Sequence, residues 1–260
     1  MDKRISSSIR APSLGWRMLK AVNNAVLAAG APFSLTVRET YAQPQDADAF
    51  LTRQWRRHID TVEQLRRFRP PPATVLDVGC GTGALSSRLA ELGYAMQGCD
   101  CLPPDGVNVA PAGFVYSQVD LDNEGLSPHY ATSPPFDAVV CSDVIEHLEN
   151  PAKALREIGR VLHQNGLAFI TLPNAFNIFE RAAIALTGNS TRYKFSTPAE
   201  RGHISMLPHN VMHALAARAG LEVVAKHGGY CYLGGYFIRP KRRWSPLLSY
   251  SVLWILRKQN

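Results

Sequence analysis

The chain has no pair of cysteines at C-x-x-C spacing, no stretch approaching the roughly 20 apolar residues of a membrane span, and no signal-peptide core near its start. Each absence excludes something. The five cysteines are Cys80, Cys99, Cys101, Cys141 and Cys231. Three lie in or beside predicted strands, where a free thiol acts as a small apolar residue, and the spacing of Cys99 and Cys101 suits zinc poorly. A disulfide framework and a zinc module are therefore not expected. A cytoplasmic protein is, with peripheral contact at the inner face of the membrane left open. The formal charge of +7 invites a nucleic-acid reading. Aromatics are not interleaved with the basic residues, however, and no separate RNA-binding module is visible, so nucleic acid is not the expected partner. Anionic lipid headgroups, phosphorylated sugars or carboxylated small molecules account for the same charge. With 46% hydrophobic content over 260 residues, the chain can bury a full sheet and both of its helix layers.

The most informative segment is Val75-Leu76-Asp77-Val78-Gly79-Cys80-Gly81-Thr82-Gly83-Ala84-Leu85-Ser86. An apolar run ends in an acid, and three glycines follow at alternate positions. This predicts a buried strand turning sharply into a helix that opens near Gly83. Glycine is needed where the backbone bends and a ligand must approach with no Cβ in the way. The N–H groups freed at the helix start point at that ligand. Gly79, Gly81 and Ala84 also satisfy the dinucleotide pattern G-x-G-x-x-A. Asp77 argues against a pyrophosphate, which it would repel; it suits the ammonium end of a cationic ligand.

Beyond the turn, strands are predicted over residues 94–100, 114–120, 136–142 and 167–172. A helix over 151–162 carries apolar residues at Ala154, Leu155, Ile158 and Leu162 and is capped by Asn165 and Gly166. This alternation is the pattern of a parallel α/β sheet. Asp100 follows Gly79 by 21 residues, the distance at which an acid at the tip of the second strand meets two ribose hydroxyls.

These motifs resemble the class I S-adenosylmethionine-dependent methyltransferases, whose first motif is D/E-x-G-x-G-x-G. The resemblance covers roughly residues 50–260. Residues 136–148, with 155–162 and 166–174, look like the small-molecule O-methyltransferase branch that includes the ubiquinone-biosynthesis O-methyltransferases. The resemblance implies an α/β fold: a Rossmann-like, seven-stranded, mostly parallel sheet with helices on both faces and the last strand antiparallel. It implies S-adenosyl-L-methionine as methyl donor, bound by Asp77, Gly79, Cys80, Gly81, Gly83, Asp100, Cys101, Asp120, Leu121 and Ser142. In that arrangement Asp120 faces the adenine amino group, and the backbone around Ser142 holds the methionine end.

By the same resemblance Glu146 and His147 lie beside the transferred methyl. A neutral imidazole at His147 can take the proton of an attacking hydroxyl, and His203, approaching from a lid, is the second candidate catalytic residue; a structural hydrogen-bonding role is the competing reading for each. Asp143, Glu146, His147 and His203 are also reminiscent of the divalent-metal site of small-RNA 2′-O-methyltransferases. Asp143 has a shorter arm than the Glu of that pattern, and no metal is expected.

Residues 1–45 are read as an N-terminal helical arm or lid, with a helix over 16–29, and 46–260 as the methyltransferase domain. A polar linker over 42–49 leads into a basic helix over 50–68. Residues 174–207 form a substrate-lid insertion: a helix with a broad apolar face, ended by Gly188, then Tyr193, Lys194, Phe195, Arg201, Gly202 and His203. A helix from Pro208 stopped by Gly220 precedes a strand over 221–226. The segment 239–258 offers two readings, a basic amphipathic tail on anionic lipid or a final antiparallel strand over 252–256. The expected activity is methyl transfer to a hydroxyl oxygen of a small or lipid- or glycan-linked, partly hydrophobic acceptor. The alternatives are a metal-assisted RNA 2′-O-methyltransferase and a cofactor-binding protein without turnover.

Overall fold

The computed structural model describes residues 33–36, 47–189, 203–229, 231–233, 236–240 and 245–259. The expected helix over 16–29, most of the linker, the lid residues Tyr193 to Gly202 and the basic run Lys241 to Trp244 lie outside them.

Strand β1 (Phe33–Thr36) precedes helix α1 (Ala47–Phe68). The glycine turn joins β2 (Thr74–Val78) to α2 (Ala84–Glu91), and β3 (Ala95–Asp100) and β4 (Val115–Gln118) follow. After a short helix α3 (Leu126–His129) come β5 (Phe136–Ser142), α4 (Pro151–Val161) and β6 (Leu162–Pro173). Helix α5 (Ile178–Thr187) is followed by α6 (His209–Arg218) and β7 (Leu221–Gly228). The chain closes with β8 (Cys231–Leu233), β9 (Tyr236–Pro240), α7 (Ser245–Leu248) and β10 (Ser251–Lys258).

The main sheet has seven strands in the order β4-β3-β2-β5-β6-β10-β7. The pairings among β4, β3, β2, β5 and β6 are parallel, and β10 runs antiparallel between β6 and β7. The expected strand at the C-terminus is thus present, inserted into the sheet rather than left as a tail. Its central position explains its composition: Val252 to Leu256 are all buried, alternating between the two faces.

Period-two alternation divides the core. Val139 and Cys141 of β5, Ile170 and Leu172 of β6, and Trp254 of β10 pack with Leu155 and Ile158 of α4 and Met212 and Ala216 of α6. Ala138, Val140, Phe169, Leu253 and Ile255 face Val62 and Leu65 of α1 and Leu85 and Leu89 of α2. Helix α1 is therefore a packing helix whose Arg66 and Arg67 stay exposed.

Two features depart from expectation. Strand β6 begins at Leu162, directly after α4, and Asn165 (φ 62°) and Gly166 lie within it. Phe136 pairs with Leu162 and Ala138 with Leu167, so residues 163–166, Asn165 and Gly166 among them, form an irregularity opposite Asp137 instead of a helix cap. The second departure is a small antiparallel sheet, β1-β9-β8, in which Phe33 pairs with Pro240. It ties the early segment to the stretch between β7 and β10. Among the described residues no helix is long and apolar enough to cross a membrane.

Candidate active site

The site lies at the C-terminal ends of β2, β3 and β5, where open parallel sheets bind ligands. Gly79, Gly81 and Gly83 all take positive φ, at 74°, 51° and 87°. A Cβ at Gly79 would strike Val144, and one at Gly83 would meet Ala110 at 2.8 Å. At Gly81 it would enter open space, with nothing within 4 Å. Two of the glycines thus let neighbouring chain pack onto the turn, and the third keeps a cradle clear. Val109 N–H donates to the Thr82 carbonyl at 2.9 Å and draws the 107–114 segment onto the turn.

Asp77 is only 2% exposed, and the Ser86 hydroxyl donates to its Oδ2 at 2.7 Å. Burial pushes its carboxyl up to about 7, against the Ser86 hydrogen bond, with Asp100 adding a further push. A cationic group placed nearby would stabilise the ionised form. Asp100 Oδ2 accepts from Gly81 N–H at 2.9 Å. Its Oδ1 accepts from Leu102 N–H at 3.1 Å and from the Cys101 thiol at 3.3 Å, and a hydroxyl is a better donor than that thiol. Burial pushes the Cys80 and Cys99 thiols up and keeps them neutral. Asp120 closes a local turn, accepting from Asp122 N–H at 3.1 Å and Asn123 Nδ2 at 2.9 Å, with Leu121 buried beside it. A diol acceptor at Asp100, a buried acid at Asp77 and an open cradle at Gly81 together fit S-adenosylmethionine, which carries a ribose and a cationic end.

At the tip of β5 the Ser142 hydroxyl is buried without a hydrogen-bond partner. Asp143 follows at φ 54°, a region few non-glycine residues adopt. Thr171 holds it there: Asp143 N–H donates to Thr171 Oγ1 at 3.0 Å, and that hydroxyl lies 3.2 Å from Asp143 Oδ1. The turn then delivers Glu146 and His147. Segment 203–205 docks on it, with Ile204 and Ser205 N–H both donating to the Glu146 carbonyl at 2.9 Å and Ser205 Oγ to the Leu148 carbonyl at 2.7 Å. His203 Nε2 lies 3.9 Å from the fully buried Glu146 carboxylate, and the His147 and His203 rings meet edge-on at 4.8 Å. The ligand atoms of Glu146, His147 and His203 lie within 4.8 Å of one another, a spacing that can accommodate a metal ion. Asp143, the fourth member of the group expected from the sequence, is directed to Thr171.

Helix α5, expected to be part of a lid, is anchored at its base. Asn174 is buried and donates through Nδ2 to the carbonyls of Pro246 (2.6 Å) and Ser249 (3.0 Å). Asn177 Nδ2 donates to the Asn174 carbonyl at 2.7 Å, while its Oδ1 caps the helix by accepting from Glu180 N–H at 2.9 Å. Beyond this base Ile178, Phe179 and Leu186 are exposed. Ser86, Thr171 and Asn174 were not singled out in the sequence. Ser86 was legible in principle, as a polar residue in the first turn of the helix that the buried acid introduces.

The fold and this site define a class: a Rossmann-like methyltransferase with an antiparallel final strand. The Methyltransferase domain family matches residues 48–226, and the chain belongs to it. Two relatives are each named a ubiquinone biosynthesis O-methyltransferase. The one from Xanthomonas axonopodis pv. citri is 36% identical over 148 residues, covering 52% of this chain and 61% of the relative. The one from Azoarcus sp. is 29% identical over 157 residues, covering 59% and 66%. The chain spans less than two thirds of the length of each. Among solved structures, the magnesium protoporphyrin IX methyltransferase of Synechocystis with bound SAH superposes with a TM-score of 0.54 at 16% identity, covering 85% of this chain and 90% of that one. The 1,6-didemethyltoxoflavin-N1-methyltransferase of Burkholderia thailandensis also gives 0.54, at 14% identity, covering 88% and 97%. At that identity the likeness is one of fold.

Proposed function

We propose that this chain is an S-adenosylmethionine-dependent O-methyltransferase acting on a small, partly hydrophobic hydroxyl acceptor. The observation that carries the reading is the convergence, at the ends of β2, β3 and β5, of an open glycine cradle with an imidazole pair beside a buried carboxylate. The relatives' names support oxygen as the methylated atom and a small molecule as acceptor.

When bound, the cofactor supplies an electrophilic methyl on a sulfonium. The protein's part is alignment, exclusion of water and movement of one proton. Asp77 and the turn formed by Gly79, Cys80, Gly81 and Gly83 hold the methionine end together with the backbone at Ser142. Asp100 holds the ribose beside Cys101, and Asp120 and Leu121 border the adenine. His147 takes the acceptor hydroxyl proton on a ring nitrogen, and His203, packed edge-on against that ring and 3.9 Å from the Glu146 carboxylate, is the second catalytic candidate. The exposed apolar residues of α5 receive the hydrophobic part of the acceptor. Presentation of that acceptor at an anionic membrane or on a lipid carrier is part of the same proposal, with Lys241, Arg242 and Arg243 before Trp244 supplying about 1 kcal/mol each of surface attraction.

His147→Ala tests the assignment. Turnover to S-adenosylhomocysteine with a catechol or phenol acceptor should fall about 10²–10⁴-fold while calorimetric cofactor affinity stays intact. Unchanged turnover removes His147 from the chemistry. A second reading, in which Glu146, His147 and His203 bind a divalent ion, is favoured by their mutual spacing alone. Exhaustive chelation separates the two, since activity that is lost and then restored by Mn²⁺ or Zn²⁺ belongs to the metal reading.

A further inference from the structure

Away from the glycine turn, three basic side chains gather around one buried indole, with a fourth beyond them on the side of His209. Trp254 of β10 is 1% exposed. His209, at the first position of α6, meets it edge-on at 5.5 Å, and His213, one turn later, does so at 5.2 Å. From β7, the Lys226 ammonium sits 5.1 Å from the Trp254 ring and 3.2 Å from His213 Nε2. Arg181, in the first half of α5, is close enough for its charge to act on His209. Trp254 pairs with both Lys226 and Ile170, and Ile170 pairs with Cys141 of β5. Lys226 is therefore three strands from β5, about 14 Å at the usual strand spacing. The cluster is separate from the His147 and His203 pair.

Packing explains why the rings lie against Trp254. It does not explain why the standing charges acting on His209 are those of Lys226 and Arg181, both positive, nor why His209 Nε2 is buried with no hydrogen-bond partner. Burial and these cations hold both imidazoles below the ordinary histidine range, and a 3.2 Å approach of Lys226 to His213 requires that ring to be neutral and accepting. An anion supplies the missing partner. Protonated, each ring donates instead of accepting, and the N-terminal end of a ten-residue helix adds free N–H groups.

We infer that Arg181, His209, His213 and Lys226 form a binding subsite for a tetrahedral phosphate-type oxyanion, about three strands from the methyl-transfer site. Its ligand is a phosphate group carried by a soluble metabolite or by a lipid headgroup. The inference goes beyond methyl transfer and does not depend on it. Because the rings take up protons as the anion binds, affinity should tighten as pH falls through the neutral range.

The test is titration of the full chain with inorganic phosphate, followed through the His209 and His213 ring resonances. Phosphate should shift both and raise their titration midpoints. Lys226→Gln and His209→Gln should each weaken binding at least tenfold, whereas Lys226→Arg should retain it. Sulfate, whose charge is constant near neutrality, should bind more tightly at lower pH. Glycerol phosphate and phosphatidylglycerol vesicles then separate the sources: a response to the first means a soluble ligand, a response to vesicles alone means a headgroup, and either supports the subsite. Rings that respond to none of these probes overturn it, as does phosphate binding undiminished in both glutamine variants. Cofactor calorimetry on the same variants shows whether the methyltransferase site is intact, so the two readings fail separately.

Discussion

Asp77 is 2% exposed and Leu186 is 85% exposed, and they stand in the two halves of the proposed site, the cofactor turn and the lid proposed for the acceptor. Around Asp77 each position is specified by a neighbour: Ser86 on the carboxylate, Val144 against Gly79, Ala110 against Gly83 and Gly81 N–H on Asp100. Helix α5, which carries Leu186, is tied down in its first half, where Asn174 donates to the carbonyls of Pro246 and Ser249, Asn177 caps the helix and Glu180 is buried. It also presents apolar side chains to solvent. A common ligand needs a preformed cradle, whereas an acceptor is selected by a surface with few internal constraints. The same contrast separates what substitutions should do in each half.

The largest effect is expected from Gly81→Val, which places a β-branched side chain in the cradle at φ 51°. The chain should remain folded, at a cost of about 1–2 kcal/mol for the left-handed conformation, and calorimetry should detect no cofactor binding. Retained affinity would show that the cradle is not the ligand site. Asp100→Ala, at the cradle's edge, should weaken cofactor binding at least tenfold through lost charge-assisted hydrogen bonds.

Asp77→Asn comes next, and its effects on stability and binding oppose each other. The carboxyl titrates at about 7 when folded, against an ordinary 3.8. Between these values the folded state holds a proton that the unfolded chain has released, so stability falls as pH rises across the window, by an upper bound of about 4 kcal/mol. The asparagine variant should lose this slope and be the more stable protein above neutrality in denaturant titrations. It should also bind the cofactor more weakly. Wild-type affinity should decline below pH 7 as the carboxyl protonates, and the variant's should be flat. Parallel pH–stability curves for the two proteins would mean that Asp77 is ionised throughout.

The smallest effects are expected from the proposed lid. Phe179→Ser and Leu186→Ser should alter stability by no more than about 0.5 kcal/mol, since both side chains face solvent. They should leave cofactor affinity unchanged and raise KM for a hydrophobic acceptor severalfold. Co-sedimentation with anionic vesicles should fall with added salt and with Lys241, Arg242 and Arg243 changed to serine. Wild-type protein that ignores such vesicles would remove the membrane from the proposal.

Local sequence was sufficient where structure follows from local chemistry. Alternating or continuous apolar runs bounded by acids and glycines located β2, β3, β5 and β7, and Gly188 and Gly220 ended their helices in left-handed conformations as read. Asp77, Gly79, Gly81, Gly83 and Asp100 do converge on one turn, because strand–turn–helix geometry is short-range. The fate of residues 252–256 was open between a strand and a tail, since only burial on both faces between β6 and β7 distinguishes them. Asn165 and Gly166 read as a helix cap because their place in a strand irregularity depends on pairing with β5, far off in sequence. The β1-β9-β8 sheet joins segments about two hundred residues apart and left no local signal.

The sequence by itself determined the fold class, the glycine turn and the kind of ligand that turn admits, for these rest on backbone conformations that few residues can adopt. Tertiary structure alone decided which polar groups meet. It turned Asp143 toward Thr171 and assembled His209, His213 and Lys226 around Trp254, while the meeting of His203 with Glu146 and His147, expected from resemblance, rests on segment 203–205 docking on the turn after β5. Such contacts are set by strand register and helix docking, where the deciding free energy is burial shared across distant segments and so is written in no one of them.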